Sequence, residues 1–227
     1  MPTFTHDGLV LVFDDHDRVR ARPLVLLHGF SGQAADWRHV LDVDALAGTR
    51  RVIASDARDH GRSAATAAPF THRDCARDLL ALLDHLGLDR VQAIGMSMGG
   101  NTLLHAATIA PDRFEAMVLV SATSHFGPEA RAVLRGYGHR QTEAWAASTD
   151  DLTFTPDTLA TITARTLIVY GDRDELYPVE LGVGLYRAIP KSQLWVVPGG
   201  GHGPIFGDHA PGFARAALAF LDGASGA

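Results

Sequence analysis

The residues of this chain best suited to chemistry lie in Gly95-Met96-Ser97-Met98-Gly99-Gly100, which spells G-x-S-x-G. In that pattern a strand turns sharply into a helix and lifts the serine hydroxyl out at the C-terminal edge of a sheet, with small residues either side to permit the turn. The free N–H groups and positive dipole end of the following helix then face the hydroxyl. A serine hydroxyl is a weak nucleophile without a base. Of twelve histidines, His202 stands in the glycine-rich loop Gly199-Gly200-Gly201-His202-Gly203-Pro204 after an apolar run, where it can reach across a sheet edge. A base needs an acid to fix its tautomer and stabilise the imidazolium. Asp172 or Asp174, both in Gly171-Asp172-Arg173-Asp174-Glu175, can supply it. Acyl transfer to Ser97 also needs N–H donors for a developing oxyanion. The backbone of Met98 and that of Phe30, in His28-Gly29-Phe30, are the candidates, and His28 reads as structural.

These side chains are far apart in sequence, so a framework must gather them. Apolar runs at 9–13, 23–27, 51–55, 91–95, 114–120, 166–170 and 193–197 read as strands, several without the alternation of a half-exposed sheet, as expected of central parallel strands. Helical patterns fall between them at 36–46, 71–86, 99–110, 180–188 and 211–221, with Gly87 and Pro111 as stops. Residues 14–17, Asp-Asp-His-Asp, read as a turn. This alternation predicts an α/β fold, a mostly parallel central sheet with helices on both faces. Residues 123–163 break the pattern with Gly127-Pro128, Gly136 and Gly138, and read as a small helical cap inserted in a single domain spanning 1–227.

The bulk properties narrow the function. A length of 227 residues, 46% hydrophobic and 20% charged, suits one large globular domain. A net charge of −6 leaves no basic footprint for nucleic acid. Apolar runs are too short for a membrane span, and the N-terminus lacks a signal-peptide pattern, which predicts a cytoplasmic protein without membrane partners. The single cysteine, Cys75, allows no intrachain disulfide and falls on a helical pattern as a packing residue. There is no H-E-x-x-H helix and no tight His/Asp cluster, so no metal is expected. The sequence leaves the oligomeric state open.

Taken together, the stretches Leu24–Leu27 with His28-Gly29-Phe30-Ser31-Gly32, Asp56-Ala57-Arg58-Asp59-His60-Gly61-Arg62-Ser63, Gly95 to Gly100, Gly171 to Pro178 and Gly200 to His202 resemble the α/β-hydrolase superfamily, in its esterase and lactonase-like branch. The resemblance covers most of the chain. It implies a Ser97–His202–Asp174 triad, because the family's acid occupies the second Asp of G-D-x-D, and an oxyanion hole at Phe30 and Met98. Asp56, Arg58 and Ser63 match a loop that is mostly structural in relatives. Asp59 departs from the glycine commonly found there. The cap is shorter than in many relatives, which implies an open pocket. Phe126, Trp145, Tyr137 and Leu176 are its expected substrate-binding residues, with Phe30, Met98, Phe154 and Phe206 as further candidates. The expected activity is cleavage of a small-molecule ester or lactone through an acyl-enzyme, with no cofactor. C–C bond hydrolysis, thioester hydrolysis, acyl transfer or cyclisation would use the same triad, and a non-catalytic ligand receptor is the rival from another class.

Overall fold

Strand β3 (Leu24–Leu27) is buried at all four positions and β6 (Phe114–Val120) at all but one, so these runs can exist only with both faces covered. The computed structural model describes residues 1–17 and 22–223. Among them, β1 (Thr3–His6), β2 (Leu9–His16), β3, β4 (Val52–Ser55), β5 (Val91–Met96), β6, β7 (Arg165–Gly171) and β8 (Ser192–Val197) form one sheet in the order β1-β2-β4-β3-β5-β6-β7-β8. Pairing is parallel from β4 through β3 to β8 and antiparallel for β1–β2 and β2–β4. The fold is therefore α/β, with a mostly parallel sheet.

Alternate strand residues feed two cores. Val25 and Leu27 face Leu79 and Leu83 of α2 (His72–His85) and Leu103 and Leu104 of α3 (Met98–Ile109). Leu185 of α7 (Val179–Ala188) belongs to the same layer. Leu24 and Leu26 face the other way, toward Trp37, Val43 of the short α1 (Val43–Leu46), and Phe213 and Phe220 of α8 (Ala210–Leu221). Between β6 and β7 lie α4 (Pro128–Gly136), α5 (Arg140–Ala147) and α6 (Pro156–Leu159). Helix α2 begins with a capping box, Thr71 with Asp74, which satisfies first-turn donors reciprocally.

Two expectations are corrected and one strand is added. Residues 36–46 are not one helix: a 3-10 segment, Ala34–His39, ends at Val40, and Asp42 starts α1 afresh by accepting from the Ala45 N–H at 3.0 Å. The break lets Trp37, Val40, Leu41 and Val43 all turn inward, which a single straight helix would not. Residues 14–16 are not a turn but the end of β2, paired with Val52–Ala54. There Arg51 holds Asp15 with two hydrogen bonds of 2.9 and 2.7 Å, so strand pairing overrides local turn preference. Finally, Thr3–His6 is a strand, joined to β2 by Asp7-Gly8, both at positive φ (48° and 77°). Asp-Gly between strands is the local signal that identifies this hairpin.

Candidate active site

Ser97 sits where β5 gives way to α3, at φ 50° and ψ −111°, a conformation that costs a non-glycine residue about 1–3 kcal/mol. The strain is held from both sides. The Ser97 N–H donates to Val120 O on β6, and Ser97 O accepts from Asn101 N–H, each at 2.8 Å. A Cβ on Gly95 would overlap the Gly99 carbonyl, and one on Gly99 would overlap the Leu27 carbonyl, so the turn closes only with glycine at both positions. The result is a buried serine, 7% exposed, at the C-terminal edge of the sheet.

Two further loops meet it there. After β7, Asp174 accepts the backbone N–H groups of Leu176 and Tyr177 on Oδ1, at 2.9 and 2.8 Å. After β8, His202 places Nδ1 2.9 Å from Asp174 Oδ2 and Nε2 2.8 Å from Ser97 Oγ. The neutral imidazole therefore donates from Nδ1 to the carboxylate and receives the serine proton at Nε2. Asp172 does not reach His202. Its carboxylate accepts the Gly199 N–H at 2.6 Å, and Arg173 N–H donates to Gly200 O at 2.8 Å, so it ties the two loops together. The Tyr177 ring packs edge-on to His202, with centroids 5.0 Å apart, and burial pushes its phenol pKa up.

Met98 opens α3, so its N–H is among the first-turn donors that have no acceptor within the helix. Phe30 follows Gly29 in a tight loop closed by Gly32 N–H to Gly29 O at 3.1 Å, and both Phe30 and Met98 border the same cavity as Ser97. His28 is structural in its bonding. Its Nδ1 faces Gly29 O at 2.7 Å and its Nε2 accepts the Ala57 N–H at 3.0 Å. Burial lowers its pKa to about 4 despite the Gly29 hydrogen bond, so the ring is neutral. The 56–63 loop is likewise a brace. Asp56 accepts from Ala34 N–H and from the Arg62 backbone and guanidinium, Arg58 pairs with Asp78 at 2.6 and 2.7 Å, and Ser63 Oγ donates to Asp56 O. Asp59 takes φ 63°, the left-handed backbone that glycine adopts freely.

The cavity over Ser97 has a volume of about 790 Å³. Tyr137, Trp145, Leu176, Phe30, Met98 and Phe206 all border it. Phe126 and Phe154 do not. Phe126 is held inward between His72 and Tyr177, with Arg131 bonding its carbonyl, and Phe154 packs on His105. Both therefore serve as packing for the wall, which corrects their place among pocket candidates. Sequence reasoning missed His72, His60, His139, Leu134 and Tyr177 on the lining. Tyr177 carried a signal, three residues beyond Asp174, whereas the others reach the cavity only through tertiary contacts.

The segment carrying α4 and α5 is clasped to the chain at the start of α2. Gln141 pairs with both backbone groups of Phe70 (3.0 and 2.7 Å), Trp145 Nε1 donates to Phe70 O at 3.0 Å, and Asp151 accepts the His72 backbone N–H at 2.9 Å.

Comparison with known proteins agrees with this architecture. The sequence model for the alpha/beta hydrolase fold matches residues 22–150. An acetyltransferase component of the acetoin cleaving system of Pseudomonas putida is 40% identical over 100 residues, but that match spans only 44% of this chain and 26% of the relative. The hydrolase YugF of Bacillus subtilis is 22% identical over 88% of this chain and 90% of its own. A solved structure described as Est816, an N-acyl homoserine lactone degrading enzyme, superposes with a TM-score of 0.80 at 25% identity, covering 96% of this chain and all of that one (100%). By its sheet order, its strand-to-helix serine and the family match over residues 22–150, the chain belongs to the alpha/beta hydrolase fold family.

Proposed function

We propose that this protein is a serine hydrolase that cleaves a small-molecule carboxylic ester or lactone, acting as one domain with residues 123–163 as its cap. The observation that carries this reading is the unbroken line of hydrogen bonds from Ser97 Oγ through His202 to Asp174, at 2.8 and 2.9 Å. In the reaction, His202 Nε2 takes the serine proton as Oγ attacks the carbonyl carbon. The N–H groups of Phe30 and Met98 receive the oxyanion. His202 then returns the proton to the departing alkoxide as the C–O bond breaks, leaving acyl-Ser97 and an alcohol. For a lactone, the alcohol stays tethered to the acyl group. Water, deprotonated by the same nitrogen, attacks the acyl-enzyme, and the collapse returns the proton to Ser97 and frees the acid.

The aromatic lining favours apolar substrate groups around the reacting carbonyl. The likeness to a lactone-degrading structure supports the lactone arm of the proposal. Hydrolysis of short p-nitrophenyl esters tests it. Ser97→Ala is expected to lower kcat by a factor of at least about 10³, the scale for loss of an activated nucleophile. Turnover at the wild-type rate in that variant would falsify the proposal.

A further inference from the structure

Outside the Ser97 line, the cavity wall contains a second imidazole–carboxylate pair. His72 borders the cavity with Ser97, yet its side chain is only 1% exposed. Its Nδ1 lies 2.6 Å from Asp151 Oδ2, and its backbone N–H also reaches Asp151. One face of the ring is covered by Trp145, with centroids 4.5 Å apart, and Phe126 packs nearby at 5.9 Å. Asp151 itself is enclosed, and His105 approaches its other oxygen at 3.6 Å. Burial alone would raise the Asp151 pKa. The His105 ring nearby and the hydrogen-bonded His72 ring outweigh that and hold it below the usual carboxylate range, so Asp151 is anionic.

Asp151 Oδ2, 2.6 Å from Nδ1, fixes which nitrogen of the imidazole tautomer carries the hydrogen. The proton sits on Nδ1, and Nε2 is left with a lone pair. With Nδ1 on Asp151 and a face under Trp145, the ring edge left to the cavity is the one that bears Nε2. Among the described residues no side chain or backbone group hydrogen-bonds to that nitrogen. A fixed acceptor packed among Trp145 and Phe126 is a costly feature unless something donates to it. Rings in contact link it to the reacting centre: His202 to Tyr177, Tyr177 to Phe126, and Phe126 to His72.

We propose that His72, oriented by Asp151, determines specificity by accepting a hydrogen bond from a hydroxyl or amide N–H on the non-reacting part of the substrate. The substrate class is thereby narrowed to esters or lactones that carry such a donor away from the scissile carbonyl. This rests on the serine-hydrolase reading of the same cavity.

The test uses His72→Asn. The asparagine amide nitrogen can occupy the place of Nδ1 and still donate to Asp151, so the clasp is kept and only the Nε2 edge is deleted. Matched p-nitrophenyl alkanoates are compared with versions carrying a hydroxyl, and in a second arm an acylamino group, at each chain position. The wild type is expected to favour at least one donor-bearing position by about tenfold in kcat/KM. His72→Asn should abolish that preference, read as the ratio of donor-bearing to plain ester within the variant itself, and should lower the unfolding temperature by a few degrees because Asn leaves part of the buried ring's volume empty. Preference in the hydroxyl arm alone, or in the amide arm alone, identifies the donor. A wild type indifferent to every donor, a preference that survives in His72→Asn, or an enzyme that turns over none of the series would overturn the proposal. Failure of a fluorophosphonate probe to label Ser97 at all would instead sink the hydrolase reading, so the two failures are distinct.

Discussion

Asp172 and Asp174 stand two residues apart on one loop, and what separates them is the atom each oxygen faces. Asp174 uses Oδ1 for the Leu176 and Tyr177 N–H groups and leaves Oδ2 to His202. In Asp174→Asn the carbonyl oxygen retains the two backbone donors, which forces the amide NH₂ toward His202 Nδ1. The imidazole must then accept at Nδ1 and carry its proton on Nε2, where it can no longer take one from Ser97. The expected loss in kcat is about 10⁴-fold with little change in fold. Asp172→Asn keeps an oxygen for the Gly199 N–H and should stay within about threefold of wild type. Steady-state kinetics on one chromogenic ester decide the matter. Equal losses in both variants would remove Asp174 from its assigned role.

The turn between β5 and α3 shows how an element's geometry constrains its residues. A methyl group on Gly99 would meet the backbone of Leu27 and His28, which cannot swing aside as a flexible side chain can. Gly184, inside α7, has nothing within 4 Å of the same added atom. Gly99→Ala should therefore destabilise the protein by about 2 kcal/mol or more, whereas Gly184→Ala should stabilise it by about 0.5–1 kcal/mol through the helix and the unfolded chain. Urea midpoints measure both, and a Gly99→Ala protein as stable as wild type would contradict the packing. This turn was legible in the sequence because its demands are local: a small residue, a serine and another small residue between an apolar strand run and a helical pattern. The same is true of the strands, whose apolar runs need no partner to be recognised. The Asp14–His16 end of β2 was not legible, since acidic residues favour turns and it is Arg51, just before β4, and Arg62 that hold Asp15 and Asp14 in the ladder. Nor were Phe126 and His72 assignable, because which of two aromatic-flanked rings reaches the cavity is set by Asp151 and Arg131 from the segment between β6 and β7. The Asp7-Gly8 hairpin carries a readable turn signal between two strands.

At the scale of the whole molecule, the packing of loops around the sheet edge makes stability depend on acidity before any carboxylate titrates. His28 is only 4% exposed, and both nitrogens are committed, Nε2 as an acceptor from Ala57 N–H. A second proton would have to displace that bond, and burial places the pKa at about 4. Burial lowers His60 as well, and its ring lies 5.3 Å from that of His28. In the unfolded chain a histidine takes its proton near pH 6.5. Between about pH 6.5 and about pH 4 the unfolded state thus binds protons that the folded state refuses, and stability falls as pH falls. His28 alone can account for about 3 kcal/mol across that window. Asp56 and Asp151, whose pKa values are lowered in the fold, add their own loss only at lower pH. Urea unfolding at about pH 7 and about pH 5 should show the folded state weaker at the lower value, with net proton uptake on unfolding. In His28→Gln, which has an amide to serve both partners and nothing to protonate, the difference between the two pH values should shrink by about 1–2 kcal/mol. An unchanged pH dependence in that variant would mean that the buried imidazole does not refuse its proton, and the acid sensitivity would then have to come from another group.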